Sequence, residues 1–438
     1  MSLLKILISN QKKYLYDAKT NRLHEIDETI AKAYHNYTVH TQTENDILAL
    51  SDVLQRNVDN NFFTIKEPFS KENLSWICHN TMQQLILSIT ENCNMRCRYC
   101  TYHDKYNENY ICNEMTYETA EKAIELFLKN SIKNEEVFIS FYGGEPLTRK
   151  EFIKHCVNYA LNKSNGQHIK FYVTTNGTLL DENFIDYLIE YNFYVSISLD
   201  GPREINDRYR VFKDGSPTYD KVVCNLKQLY YKNPIYAKNN VILMCTYSPP
   251  KNEPAIYSFF ENVPFRSLIN EVIQTPYFKT YVKDQYLDTN DITLLFDEKI
   301  NYNHFKKSIE ANYKKYANLT PIHKDTQYVF PSGSCIPINK KLFVKDNGNI
   351  FFCERVNEDD PSNIVGNVNE GIDIASVMQQ YERLIGVFKK QRCGECWAVH
   401  FCTFCFRDAK TIDDITCERM RNRIEQEFTR FLSLNKNS

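Results

Sequence analysis

The stretch Leu85-Ile86-Leu87-Ser88-Ile89-Thr90-Glu91-Asn92-Cys93-Asn94-Met95-Arg96-Cys97-Arg98-Tyr99-Cys100 decides how this chain is read. Its first six residues read as a strand. The three cysteines then lie on a loop at that strand's C-terminal end, where sheets of this kind carry their functional residues. Three thiolates so closely spaced suit three irons of a cubane cluster and leave the fourth iron without a protein ligand. Iron–sulfur clusters normally take four cysteines, so such a loop invites an exchangeable ligand.

The other cysteines follow the same logic. The chain has 438 residues and 15 cysteines, an odd number. It shows no transmembrane segment and no signal-peptide pattern, because Lys5 interrupts the apolar opening Leu3–Ile8. A cytoplasmic location is expected, and there such cysteines are metal ligands or buried thiols instead of disulfides. Cys78, Cys112, Cys156, Cys224 and Cys245 are scattered and read as small buried hydrophobes. A net charge of -2, from 53 basic and 55 acidic side chains, lacks the basic footprint of a nucleic-acid binder.

Outward from the cysteine loop, the chain reads as strand alternating with helix. Glu136–Tyr142, Lys170–Thr175, Phe193–Leu199 and Val241–Tyr247 read as further strands. Tyr117–Asn130, Lys150–Leu161, Glu182–Tyr191 and Tyr219–Tyr231 read as the intervening helices. This alternation predicts an α/β fold with a parallel sheet flanked by helices. Ahead of it, Leu3–Ile8, Lys13–Asp17 and Arg22–Ile26 predict strands around a Thr20-Asn21 turn, followed by helices from Asp27 and over Asn45–Arg56. The expected division is 1–80 as a small α+β module, 81–280 as the α/β domain, 281–334 as a bridge with a helix over Phe305–Tyr316, and 335–438 as a cysteine-rich domain.

The C-x3-C-x2-C spacing, with Tyr99 before the last cysteine, resembles the signature of radical S-adenosylmethionine (radical SAM) enzymes. Further matches follow in order. Gly143-Gly144-Glu145-Pro146 closes the second strand, and Thr175–Thr178 fits the family's third. Ser196–Pro202 resembles its fourth, and Asp207 and Arg210 resemble its Asp-x-x-Arg segment. The resemblance implies a partial (β/α)6 TIM-like barrel. It makes Cys93, Cys97 and Cys100 the ligands of a 4Fe–4S cluster, and places Tyr99, Gly143, Gly144, Glu145, Ser198 and Arg210 at the S-adenosylmethionine site. By the same implication Glu145 accepts from the methionyl ammonium, Ser198 touches the ribose, and Arg210 pairs with the carboxylate, for which a guanidinium is suited. The glycines are read as letting the backbone approach the ligand. The implied chemistry is one-electron cleavage of S-adenosylmethionine to a 5′-deoxyadenosyl radical that abstracts hydrogen from carbon. The electron would come from a donor such as flavodoxin or ferredoxin.

Towards the C-terminus come Cys335, Cys353, Cys393, Cys396, Cys402, Cys405 and Cys417. Their order resembles the SPASM extension, which holds auxiliary 4Fe–4S clusters. Two residues, not the usual three, separate Cys402 from Cys405. The resemblance assigns one auxiliary cluster to Cys393, Cys396, Cys402 and Cys417 and another to Cys335, Cys353 and Cys405, making three clusters in all. The second lacks an obvious fourth ligand, which leaves an iron open to a substrate thiolate. By spacing alone, structural zinc and a non-enzymatic interaction protein remain the alternative. Glu354, beside Cys353, is a candidate base or substrate contact.

Lys13–Asp27 and the helix after it resemble the recognition module of peptide-maturing radical enzymes, which pairs a strand edge with the leader of a precursor peptide. The expected function is therefore maturation of a ribosomally made peptide by a crosslink, with a cysteine thioether favoured. The competing enzyme reading is a sulfatase-maturing type that oxidises Cys or Ser to formylglycine.

Overall fold

The computed structural model describes residues 2–58, 64–65, 70–100, 112–247, 253–271, 328–329, 340–402 and 412–434. In chain order the first elements are β1 (Leu4–Ser9), β2 (Lys12–Asp17), β3 (Arg22–Ile26), α1 (Glu28–Thr38), α2 (Glu44–Leu54), β4 (Thr64–Ile65) and α3 (Lys71–Asn80). There follow β5 (Gln84–Thr90), α4 (Tyr117–Lys129), β6 (Glu136–Gly143), α5 (Lys150–Lys163), β7 (His168–Thr175), α6 (Glu182–Glu190) and β8 (Tyr194–Ser198). Next are α7 (Arg203–Tyr209), α8 (Tyr219–Lys232), α9 (Pro234–Asn240), β9 (Val241–Tyr247), α10 (Glu253–Glu261) and β10 (Arg266–Glu271). The last are β11 (Tyr328–Val329), β12 (Lys341–Val344), β13 (Asn349–Phe351), β14 (Ile364–Asn367), β15 (Gly371–Ile372), α11 (Ile374–Lys390) and α12 (Asp414–Leu434). The expected helix over Phe305–Tyr316 lies outside the described residues.

The chain forms two compact units: Met1–Asn73 with Asn301–Pro337 and Val377–Ser438, and Leu74–Ile300 with Ile338–Ser376. In the first, β1, β2 and β3 make an antiparallel sheet. Asn10 and Gln11 both take left-handed φ, 49° and 64°, as a two-residue turn between right-twisted strands requires. Asp27 caps α1 by accepting from the Ile30 amide at 3.0 Å, and Thr43 and Asp46 form a capping box on α2. The period-2 alternation of β2 sends Leu15 and Tyr16 to opposite sides. Leu4 and Leu15 pack with Ala33, Leu50 and Leu54. Leu3, Leu7 and Tyr16 pack with Trp397, Ile424 and Phe428. Asp17 is fully buried and held by a bidentate Arg56, with Nε to Oδ2 at 2.8 Å and Nη2 to Oδ1 at 2.7 Å.

The second unit is built on one sheet in the order β10-β9-β8-β7-β6-β5-β12-β13-β14-β15. From β10 to β5 and on to β12 every pairing is parallel, so strands and crossover helices form a partial (β/α)6 barrel. Its outer edge strand β10 lies beyond the five strands read from sequence. One face of the sheet is mainly apolar: Val137, Ile139, Phe141, Val173, Val195, Ile197, Leu243 and Cys245 are fully buried. Each such side chain contributes about 1.5–3 kcal/mol by leaving water. The opposite face alternates with it and mixes polar side chains with Ile86, Phe138, Ile242 and Met244. Tyr142, Lys170, Tyr172, Thr174, Tyr194 and Ser198 lie there, and Tyr172 and Ser196 share a hydrogen bond between their hydroxyls. The C-terminal strand β12 adds to β5 in register, Leu342 opposite Leu85 and Val344 opposite Leu87.

Candidate active site

Four strand ends converge at one rim of this sheet. The cysteine loop leaves β5, and Gly143-Gly144-Glu145 leaves β6. Beyond its bulge at Ser88–Thr90, β5 aligns Thr90 with Gly143. Two backbone bonds then lock the rims together: the Gly144 amide donates to Thr90 O at 2.7 Å and the Glu145 amide to Asn92 O at 2.9 Å. The approach is so close that a Cβ on Gly143 would lie 2.2 Å from Thr90 O, and one on Gly144 2.4 Å from Asn92 O. Gly143 also has a φ of +130°. The two glycines thus answer first to the protein's own backbone.

Glu145 is fully buried. Its Oε1 accepts from Leu147 N at 2.9 Å and Thr175 Oγ1 at 2.7 Å, and its Oε2 accepts from Asn176 N at 2.7 Å. Burial pushes its carboxyl up; the bonds from Asn176, Thr175 and Leu147 pull the other way. Asn176 also donates to Asn94 Oδ1 at 2.8 Å, and Asn94 Nδ2 donates to Thr178 Oγ1 at 2.8 Å. The third strand's Thr-Asn-Gly-Thr turn therefore braces both the Glu and the cysteine loop.

From the other side, residues 209–213 run antiparallel to the loop. Arg96 N donates to Val211 O at 2.8 Å, Arg98 N to Tyr209 O at 2.9 Å and Lys213 N to Asn94 O at 3.3 Å. This ladder sets Arg210 beside Tyr99. The Tyr99 hydroxyl donates to Asp200 Oδ2 at 2.6 Å and accepts from Arg210 Nη1 at 2.5 Å, and Asp200 Oδ1 accepts from Thr246 N at 3.0 Å. Asp200 is fully buried and Arg210 nearly so. Asp207 turns away: its Oδ1 accepts the Thr218 and Tyr219 amides at 3.0 and 2.8 Å, at the start of α8. Ser198, half-buried, ends β8 at the same rim. Sequence reasoning missed Asp200, although it lies inside the Ser196–Pro202 segment; its position two residues past a strand end was the available signal.

Cys93, Cys97 and Cys100 are half-buried on one loop, and Cys100 N donates to Cys97 O at 3.0 Å. Burial pushes the Cys93 thiol up to about 12, and the neighbouring Glu145, Cys97 and Cys100 push the same way. In the other unit burial pushes Cys393 up to about 12, and Cys396, Cys402 and Cys417 add to it. The loop triad and the C-terminal tetrad are therefore two sets of neighbouring sulfurs. Among the described residues no cysteine is in a disulfide, and no three His, Cys, Asp or Glu converge on a single metal-ion position. The thiolates of a cubane cluster sit on separate irons, so they need not converge on one ion. Cys335 and Cys405 lie outside the described residues. Cys353 lies close to Glu354, whose carboxylate pairs with Lys341 Nζ at 3.3 Å. Burial raises the Glu354 carboxyl, but the Lys341 ammonium, a backbone hydrogen bond and the Cys353 thiol together outweigh it, and the group is held below its ordinary value.

Residues 87–248 match the model of the Radical SAM superfamily. Over 197 residues the chain is 32% identical to the cysteine-type anaerobic sulfatase-maturating enzyme of Clostridium novyi, covering 43% of this chain and 50% of that protein. Over 141 residues it is 36% identical to the serine-type anaerobic sulfatase-maturating enzyme of Bacteroides thetaiotaomicron, covering 31% of this chain and 34% of that one. Over 186 residues it is 32% identical to the radical SAM cyclopropyl synthase TigE of Paramaledivibacter caminithermalis, covering 40% and 38%. The chain spans half or less of the length of these curated relatives. Among solved structures, native anSMEcpe with bound AdoMet superposes with a TM-score of 0.58 at 20% identity, over 82% of this chain and 100% of that one, a likeness of fold. Residues 87–248 thus carry a radical SAM domain.

The superfamily implies S-adenosylmethionine and a 4Fe–4S cluster. The donor chemistry fits: three thiols stand on one strand-end loop, bordered by a buried carboxylate and a nearly buried guanidinium. Among the described residues no helix is long and apolar enough to cross a membrane.

Proposed function

We propose that this radical SAM enzyme modifies a ribosomally made precursor peptide, installing a crosslink of which a cysteine thioether is the favoured form. Cys93, Cys97 and Cys100 would hold the cluster that, when bound, supplies the electron for cleaving S-adenosylmethionine. Glu145, on its well-anchored strand end, would accept from the methionyl ammonium. Arg210, held by Tyr99, would pair with the carboxylate, and Ser198 would take the ribose. Gly143 and Gly144 keep the rim narrow enough for Glu145 to stand beside the loop. Two auxiliary clusters are assigned, to Cys393, Cys396, Cys402 and Cys417, and to Cys335, Cys353 and Cys405 with a position left for substrate sulfur. Glu354, fixed by Lys341, is the substrate contact beside Cys353.

The observation that carries the peptide reading is the sheet edge of the N-terminal module. Among the described residues β3 pairs with β2 alone, which leaves a strand edge suited to accept an extended leader peptide by β-augmentation. The tyrosine-rich face of the barrel sheet supports a peptide in the same way. A second reading, oxidation of Cys or Ser to formylglycine, is favoured by the sulfatase-maturating relatives and stands beside the first.

The test is anaerobic reconstitution with dithionite and S-adenosylmethionine. 5′-Deoxyadenosine is assayed alongside mass spectrometry of two peptides, a precursor encoded beside the gene and a sulfatase-derived peptide. Loss of two hydrogen atoms from the precursor, with its cysteine blocked to alkylation, supports the crosslink. A new aldehyde on the sulfatase peptide, captured by a hydrazide, supports the second reading and overturns the first. Colourless protein containing zinc and forming no deoxyadenosine overturns both.

A further inference from the structure

The segment between Cys396 and Cys402 packs against the N-terminal hairpin. Its backbone is a compact turn, with Val399 N donating to Cys396 O at 3.1 Å and both Phe401 N and Cys402 N donating to Ala398 O at 2.9 Å. Trp397, Ala398, Val399 and His400 are all buried, none more than 7% exposed. What buries them comes from the β1–β2 hairpin, from Ala18 just after it and from α12. The Tyr16 ring meets Trp397 edge-on at 6.4 Å and lies 5.6 Å from Phe401 and 5.3 Å from Phe428. His400 Nε2 stands 2.8 Å from Ala18 O, as a donor to that carbonyl. Lys5 sits 5.7 Å over the Trp397 ring and pairs with Glu425 of α12 at 2.7 Å. Tyr16 is itself fixed from behind, its hydroxyl donating to Asn21 Oδ1 at 2.7 Å.

These contacts leave the turn no independent freedom. A stretch wedged between aromatic rings and a buried backbone bond takes its conformation from its surroundings, because protein interiors repack at a cost for every displaced methylene. Cys396 and Cys402 are the two ends of that stretch. We infer that the β1–β2 hairpin of the N-terminal module is a structural part of the C-terminal cluster site, with Tyr16 and His400 as positioning residues that set the spacing of Cys396 and Cys402. The inference rests on the reading that Cys393, Cys396, Cys402 and Cys417 hold a cluster. Outer-shell groups of this kind orient ligands and tune the metal they hold. It follows that the module proposed to bind the leader is also a support of an iron–sulfur centre, so deleting it removes more than peptide binding.

The test uses the full chain with Cys93, Cys97 and Cys100 replaced by Ala, so that iron and EPR signals report the C-terminal region alone. Tyr16→Ala and His400→Ala are made in this background, with Tyr16→Phe and His400→Asn as conservative partners. The readouts are iron and sulfide per chain after anaerobic reconstitution, and the EPR spectrum after reduction. Expected is loss of one cluster's iron, roughly four per chain, or a shifted EPR signal in the Ala variants, with recovery in Tyr16→Phe and His400→Asn. Ala variants that match the parent in iron and spectrum overturn the inference while leaving the cluster reading intact. A parent holding no iron overturns the cluster reading itself. Should Tyr16→Ala fail to fold, judged by circular dichroism, the His400→Ala and His400→Asn pair decides.

Discussion

The hydroxyl of Tyr99 and the carboxylate of Asp200, 101 positions apart in the chain, meet at 2.6 Å, and Arg210 donates to the same hydroxyl at 2.5 Å. Arg210 Nη1 lies 3.9 Å from Asp200 Oδ1. The phenol therefore stands between a buried anion and a nearly buried cation, and ties the cysteine loop to the end of β8. A long guanidinium side chain keeps one rotamer only when its head is held, and here the holder is the residue one before the last cysteine.

Replacing Asp200 removes the anion opposite Arg210. Breaking one side of a buried charge pair costs about 3–5 kcal/mol of stability. Asp200→Ala is expected to lose about that much, and Asp200→Asn, which still accepts from Tyr99, less. Denaturant unfolding under anaerobic conditions measures both. Equal stabilities for wild type and Asp200→Ala would show that Arg210 is held without it.

The glycines give a steric expectation. A methyl at Gly143 or Gly144 would meet a backbone oxygen at 2.2 or 2.4 Å, where no side chain is free to yield. Gly143→Ala and Gly144→Ala are each expected to part the cysteine loop from Glu145. The loss should be read as iron missing from the first cluster, by about four atoms per chain. Full iron content in either variant would show that the loop tolerates the shift.

Much of this rim was legible in the sequence, because its residues are demanded by spacing. The cysteine triplet and the Gly-Gly-Glu turn each follow a strand whose apolar residues mark it. The strand Arg22–Ile26 and the helix start at Asp27 were legible for the same local reason, β-propensity followed by a capping side chain. Asp200 was not, because a buried Asp after a strand looks like any turn residue until its partners arrive from 101 positions upstream and 46 downstream. Likewise β12 reads as an isolated Lys-Leu-Phe-Val run, and only its pairing with Leu85–Leu87 places it in the barrel sheet. The wedge of Trp397 and His400 against Tyr16 and Ala18 spans most of the chain length and leaves no local pattern.

Helix α11 offers a stabilising change. Gly386 lies on its exposed side, and a Cβ there would meet nothing within 4 Å. Glycine in a helix interior costs up to about 1 kcal/mol relative to alanine through the freedom it keeps in the unfolded chain. Gly386→Ala is expected to raise stability by about 0.5–1 kcal/mol without altering iron content. Denaturant unfolding under anaerobic conditions measures it, and a lowered midpoint would contradict the open space around that position.

Lys345 makes the sharpest electrostatic case. It follows β12, and its ammonium lies 3.0 Å from Glu91 Oε1 and 2.7 Å from Glu358 Oε2, with Lys345 and Glu91 buried and Glu358 half-buried. Glu91 is the first residue after β5 and also accepts from Asn113 N at 3.1 Å, so it anchors the base of the cysteine loop. Burial disfavours the charge on Lys345, but Glu358 and Glu91 outweigh it, and the ammonium is held above its ordinary value. A raised lysine contributes its stability in full below the unfolded-state value and loses it only as pH climbs through the folded one, so the contribution is constant across neutral pH. Lys345→Met leaves the carboxylates of Glu91 and Glu358 without their shared cation, and a cost of about 3–5 kcal/mol is expected. Adding Glu91→Gln removes one of those charges, so the double variant should recover part of that loss, giving a coupling energy of at least about 1 kcal/mol. Denaturant midpoints for the four members of the cycle measure the coupling. Additive losses in the two single variants would mean that Lys345 and Glu91 stabilise the fold independently, and that β12 does not brace the cysteine loop through this pair.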